Sequence, residues 1–430
     1  MAIDKIIDRA ALVEQALNDL SDVTSSSSEP SRTTNPSTGV GTVWLNTTSG
    51  ELYVCTDATT NANIWTNVGE GTGSFAFPVA SSMTSSPSDL SAIESSTTQN
   101  ITFTNVTDSI DTTFDFAIAN ISNSTAITGT SAVGSVTGVS SATFAFTIGS
   151  SYPQTSTFDV QVTDSDGYTS SKQFTLTTAA PTYSVNYLLV AGGGGGAAAE
   201  GYSGQNGGAG AGGMLDNLST TLTEGVTYTI TVGAGGAATD KFTVGNNGAD
   251  STITGSGFTT ITALGGGGGP DYNSDGANGG SGAGGSETNR SPGQGTSGQG
   301  NDGGTGGAYQ SGGSGGGGGK GAAGQAYNAG RAGGAGATSA ITGVVLAHGG
   351  DGSPPNTYRN GTAGGANTGN GADGAGAQGS EGSGANGGSG VAALKILTSN
   401  YTGTVTGSPT VSTDGSYTIV KYNSTGTYTA

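Results

Sequence analysis

Apolar residues near the N-terminus recur in steps of three and four. Ile3, Ile6, Ala10, Val13, Leu17 and Leu20 follow a 3-4-3-4-3 spacing, the a/d stripe of a coiled coil. The spacing predicts a helix over residues 3–20, within an N-terminal segment 1–23. A helix this short is marginal alone in water, so its stripe needs a partner. That partner is another copy of the chain, a docking protein, or the chain's own domain. The next stretch, 24–38, favours the first two. It is rich in Ser, Thr and Pro, reads as a linker and offers no nearby core.

The apolar period then changes to two, the period of half-buried strands. Val43-Trp44-Leu45 and Leu52-Tyr53-Val54 flank a turn with Gly50, and Ile64-Trp65 adds a third piece. They predict a small β module over 39–72. Ile101-Thr102-Phe103, Phe114 to Ile118, Phe144 to Ile148, Phe158 to Val162 and Gln173 to Thr177 alternate apolar with small or polar residues. They predict a β-sandwich over 75–180. Further strands are expected at Val185 to Val190, Thr227 to Val232, Thr252 to Thr254, Thr260 to Thr262, Gly343 to Leu346, Val391 to Leu397 and Ser416 to Val420. The fold class is mainly β.

Glycine changes this picture after residue 190. Of the 84 glycines, 69 lie between Gly192 and Gly390. Collagen needs an unbroken Gly-X-Y phase with abundant Pro, and here the phase breaks repeatedly. Local runs of period three remain: Gly276 to Gly285, Gly312 to Gly324, Gly330 to Gly336, Gly376 to Gly382 and Gly384 to Gly390. Three residues per turn is the period of a polyproline-II helix, which bonds only to neighbours. The segment is therefore expected to fold as many short polyglycine-II rods joined by turns, within a domain over 185–430. Tyr272, Tyr309, Tyr327 and Tyr358 stand singly in this glycine field, where a flexible linker has no use for them.

Charge narrows the partners. There are 11 Lys and Arg against 30 Asp and Glu, a net −19. Phosphate-tracking proteins need clustered basic residues. None are clustered here, so no nucleic-acid partner is expected, and an anionic membrane surface is disfavoured. Met1 to Lys5 begins no apolar signal core. The expected exits are assembly in the cytoplasm followed by lysis, or signal-independent secretion.

Chemistry-bearing groups are sparse. His348 is the sole histidine and Cys55 the sole cysteine, so neither has a histidine base beside it and Cys55 reads as buried filler. Lys320 follows glycines, but no helix start follows as a phosphate loop requires. Asp164-Ser165-Asp166-Gly167 reads as a hairpin turn rather than a calcium loop. Asp271, Asp275 and Asp302 lie in glycine-rich loops, where calcium stays open. No catalytic residue, metal or cofactor is assigned, and the chain is expected not to be an enzyme.

Tyr187-Leu188-Leu189-Val190-Ala191 followed by Gly192 to Gly196 resembles the start of the glycine-rich domain of phage tail-fibre proteins. Thr231 to Gly236, Thr262 to Gly269, the exit strand Gly387 to Ile396 and the tail Tyr422 to Thr429 fit the same pattern in order. Such domains resemble the tip adhesins of T-even-type phages, whose glycine motifs form layered polyglycine-II rods carrying variable receptor-binding loops. Residues 39–69 look like a module of marine cyanophage structural proteins, and 75–180 resembles the Ig-like domains of phage virions. The resemblance implies a virion tail fibre or adhesin, assembled in the host cytoplasm. It would attach through its N-terminus to tail or baseplate proteins and recognise a host surface glycan or protein. It also implies a homotrimer, with the 3–20 stripe as the oligomerisation element. Tyr272, Tyr309, Tyr327 and Tyr358 are the candidate receptor contacts, stacking on sugars, or else packing between rods. Architectural decoration of a capsid or neck, a non-viral surface adhesin and a depolymerase are the other readings.

Overall fold

The structure is a computed structural model. It describes residues 23–46, 48, 51–67, 83–104, 114–130, 136–139, 141–163, 169–201 and 204–430. The helix expected over 3–20 and the turn at Asp164 to Gly167 lie outside these residues. The chain divides into two compact units, Met1–Pro181 and Thr182–Ala430. Both are mainly β.

The first unit contains a four-stranded sheet of β1 (Val23–Ser26), β2 (Val43–Asn46), β3 (Leu52–Asp57) and β4 (Ile64–Asn67), in that order. Tyr53, Cys55 and Trp65 are its buried core. Trp44 meets Trp65 edge-on at 5.9 Å. The stretch read as a linker belongs to this module: β1 pairs in parallel with β2. Trp44 Nε1 donates to Ser28 O at 2.9 Å, and Asn63 Nδ2 to Arg32 O at 2.8 Å. Residues 24–38 carry no apolar alternation. Their backbone groups and those of the module bind them instead, which hydropathy does not reveal.

The same unit contains a two-sheet sandwich. One sheet runs β5 (Thr84–Ser86), β7 (Thr98–Thr104), β11 (Ser141–Ile148), β9 (Ile127–Thr130). The other runs β10 (Val136–Val139), β8 (Phe114–Ala119), β12 (Thr155–Thr163), β13 (Thr169–Ala179), β6 (Ile93–Glu94). Alternation along β12 buries Phe158, Val160 and Val162 and leaves Thr and Asp outward. Phe103, Phe144, Phe146 and Phe158 are fully buried between the sheets. Phe103 meets Phe174 edge-on at 5.0 Å, a favoured ring geometry.

The second unit starts as a sandwich too. β15 (Met214–Thr223), β14 (Thr182–Val190), β21 (Val391–Leu397), β23 (Tyr417–Tyr422) and β22 (Thr410–Asp414) form one sheet. β18 (Ile261–Ala263), β17 (Ser251–Thr254), β16 (Thr227–Thr231) and β24 (Gly426–Thr429) form the other. Tyr187, Leu189, Tyr228, Ile253, Leu394, Val420, Tyr422 and Tyr428 fill the space between them. The opposite face of the first sheet is covered by Ile341 and Leu346, beside the hairpin of β19 (Ala337–Thr338) and β20 (Val345–Leu346). That sheet is thus apolar on both faces, which explains the unbroken run Leu188-Leu189-Val190.

Between these strands the chain leaves the sandwich and returns, again and again, as extended rods. Residues 191–199 show the bonding rule. The N–H groups of Ala191 and Gly194 donate to Gly213 and Gly210, those of Gly192 and Gly195 to Ala249 and Asn246, and those of Gly193, Gly196 and Ala199 to Gly388, Ala385 and Gly382. Successive residues turn to three different neighbours, and each step of three advances three residues along the same neighbour. That is a three-fold helix bonded only laterally, a polyglycine-II rod. Residues 204–213 repeat the rule against 369–375, 315–318 and 264–267.

Space explains the glycine better than backbone freedom does. A Cβ on Gly193 would fall on the carbonyl of Asn370, and one on Gly194 on that of Gly267. The uninterrupted runs Gly192–Gly196, Gly265–Gly269 and Gly315–Gly319 are buried throughout, in rods with neighbours on every side. Where an outer rod lacks a neighbour, Asn and Asp supply the missing acceptor. Asp250 and Asn247 Oδ1 take the N–H groups of Gly265 and Gly268, Asp275 and Asn278 those of Ser291 and Gln294, and Asn370 and Asp373 those of His348 and Asp351. Each pair is three residues apart on both rods. Some period-three runs in the sequence cross turns: Ala283 bonds back to Ala277 at 2.9 Å, so Gly276 and Gly285 lie in different rods.

Candidate functional site at the distal turns

Register fixes which end each turn occupies. Rod 191–199 leaves the sandwich from β14, and 204–213 returns to β15, so Glu200, Gly201 and Gly204 lie at the distal end. Parallel bonding of Gly208 and Ala211 to Gly315 and Gly318 makes 313–320 another returning rod, and places turn 308–312 at the same end. Gly349 and Gly352 bond to Gly334 and Arg331, so 347–353 runs outward and turn 354–358 is distal. By the same register the turns near 240–244, 270–275, 288–290, 327–330 and 378–381 are distal. Every tyrosine singled out from the sequence lies in a distal turn.

They do not form one cluster. Tyr272 is half-buried against Gly204 and meets Phe242 edge-on, at 6.2 Å and 70°. The Glu200 carboxylate beside it, together with burial, holds the Tyr272 phenol above its usual range; Asp271 and Tyr309 act the same way. Tyr309 and Tyr358 are about half exposed, at 50% and 49%. Tyr327 instead lies flat on the backbone, its Cδ2 only 2.6 Å from where a Gly307 Cβ would stand. It packs between turn and rod.

Phe242 is a further distal aromatic, in the turn after rod 233–239. It is 56% exposed and has φ +67, a region bulky side chains rarely adopt. Lys241 stands 5.9 Å from its ring and pairs with Glu381, which itself lies over Gly201. The available signal was the same as for the tyrosines: one aromatic, at Lys241-Phe242-Thr243, interrupting two glycine stretches.

A buried polar network holds the turns from beneath. Glu287 is fully buried and accepts the N–H groups of Gln205 at 3.1 Å and Gln310 at 3.2 Å. Burial pushes its carboxyl up to about 7, against the pull of those two donors. Gln205 accepts from Ser353 Oγ at 2.6 Å and donates to Ala377 O at 2.9 Å. Ser314 Oγ donates to Asn206 O at 2.6 Å.

The remaining candidates have local roles. Asp275 and Asp302 accept the N–H groups of Ser291 and Gly295, and Asp271 that of Asn273. No group of three or more potential ligand residues converges among the described residues. His348 is exposed, its Nδ1 2.6 Å from Gly349 O. Burial raises the Cys55 thiol, the opposite of an activated nucleophile. Lys320 donates to Gly298 O at 2.5 Å.

The second unit is thus a β-sandwich that extends a laterally bonded polyglycine-II bundle, with its reversals gathered at the far end. Residues 169–397 match the sequence model of the family described as glycine-rich domain, and the chain belongs to that family. The match begins at β13, which folds with the first unit, and ends at β21, where the bundle closes. No curated protein and no solved structure matches the chain.

Proposed function

We propose that the chain is a phage virion structural protein, a tail fibre or receptor-binding adhesin. In this reading it meets a host cell-surface glycan or protein through its distal turns and does no catalysis. The observation that carries it is the gathering of three exposed aromatics, Phe242, Tyr309 and Tyr358, at one end. Phe242, Thr288, Gln310 and Asn356 have positive φ in distal turns, and strain of this kind occurs at binding sites. Tyr, Asn, Ser and Gly also make adaptable contact surfaces. The N-terminal stripe, Ile3 to Leu20, would join three copies and attach them to tail or baseplate proteins. Assembly would take place in the host cytoplasm.

Adsorption tests this. Labelled full-length chain should bind bacterial cells saturably and block virus adsorption to them. A folded chain that does neither supports the second reading, architectural decoration of a capsid or neck, which the inward packing of Tyr327 favours. Light scattering should give a trimer that becomes a monomer on removal of residues 1–22; a full-length monomer stable to dilution counts against the oligomer.

A further inference from the structure

We infer that Phe242 and Tyr272, with Glu200 and Glu381, form a subsite for an uncharged pyranose. The inference deepens the adhesin reading, and takes from it the choice of the distal end.

Separate turns build the subsite. Glu200 comes from the first reversal, Lys241 and Phe242 from the second, Asp271 and Tyr272 from the third and Glu381 from the last. Tyr272 is seated on Gly204 and Glu381 on Gly201, so both lean on the first turn. The Phe242 and Tyr272 rings stand at 70° with centroids 6.2 Å apart. Two rings at this angle make a corner with one floor and one wall. A single pyranose ring presents a flat C–H face and a rim of hydroxyls to such a corner. The face is apolar enough to stack on an aromatic ring.

The surrounding charge selects among sugars. Glu200, Asp271 and Glu381 carry three negative charges near the corner, and Lys241, already paired with Glu381, carries the one positive charge among these residues. Carboxylates accept hydrogen bonds from sugar hydroxyls. They repel a sialic acid, a uronic acid or a sugar phosphate. The strain at Phe242 points the same way. An aromatic held at φ +67 with 56% of its surface exposed buries less than half of itself in its own fold. Its ring is displayed to solvent with a lysine over it.

Saturation-transfer NMR on the full-length chain tests the subsite. The probes are the methyl glucopyranosides, galactopyranosides and mannopyranosides, with N-acetylneuraminic acid and glucose 6-phosphate as anionic controls. Saturation should reach the ring C–H protons of at least one neutral probe. Phe242→Gly should weaken that binding about tenfold, and Phe242→Tyr should keep it. Glycine suits φ +67, so the variant should fold at least as well as the parent, which an unfolding curve checks. Transfer to anionic probes alone, to no probe, or undiminished in Phe242→Gly overturns the inference. Cell adsorption separates the two readings. Cells bound without any pyranoside signal would remove the subsite and leave the adhesin. A pyranoside bound without any cell binding would leave the subsite and remove the adhesin.

Discussion

The side-chain oxygen of Asn370 accepts the backbone N–H of His348 at 2.9 Å, standing where a neighbouring rod's carbonyl would be. Three residues on, Asp373 does the same for Asp351. The role needs an acceptor and no charge. Asn370→Asp should therefore leave the unfolding midpoint nearly unchanged. Asn370→Leu should cost about 0.5–1.5 kcal/mol, the net worth of one hydrogen bond. Denaturant unfolding of the two variants side by side checks this.

Glycines of the inner rods should be far less replaceable than those near the outer turns. Gly194→Ala drives a methyl onto the carbonyl of Gly267, backbone that cannot step aside without breaking its own bonds. A loss above about 4 kcal/mol, or failure of the second unit to fold, is expected. Gly365→Ala meets only the Thr368 side chain, at 3.3 Å. It should stay within about 1 kcal/mol of the parent. Thermal melts of the soluble protein decide between them.

Glu287 should give the distal turns a pH dependence. Its ordinary value is 4.5 and burial raises it to about 7. Between these values the folded state holds the proton more often than the unfolded state does. Stability contributed by this group is thus present below about 4.5 and lost as pH rises through about 7. Hydrogen exchange at Gln205 and Gln310, whose N–H groups it accepts, should speed up across that window. In Glu287→Gln the opening equilibrium should lose most of this slope, once the intrinsic pH dependence of exchange is removed.

The two units should melt as separate bodies. Phe103→Ala empties a fully buried site in the first sandwich and should cost that unit about 3–5 kcal/mol. The transition of Thr182–Ala430 should not move. Calorimetry of the full chain would show one peak shifted and one fixed; a common shift would show coupling.

Strands were legible wherever side chains alternate. β7, β8, β11, β12, β14, β16 and β21 fall where the apolar pattern places them. β15 and β22 were missed. Met214–Thr223 is mostly Thr, Ser, Asn and Leu without strict alternation, and Thr410–Asp414 is exposed on both faces. Their places are set by pairing with β14 and β23 rather than by burial. Rods were legible in kind but not in extent, because glycine marks rods and turns alike. Gly379, inside a period-three run, is a turn residue at φ +73. The site was legible as isolated aromatics. The corner at Phe242 and the buried Glu287 depend on which turns meet, and that follows from rod register, which no local spacing encodes.

β14 and β21 are adjacent antiparallel strands, and they run on into the bundle as adjacent rods, with Gly193 still bonded to Gly388 at 2.9 Å. A pull on the tip along the rods is therefore delivered as shear. The lateral bonds between rods, and those between β14 and β21, lie across the pull and share the force, instead of opening one after another as in a peeled hairpin. A tether drawn taut at its far end would be held by many bonds at once.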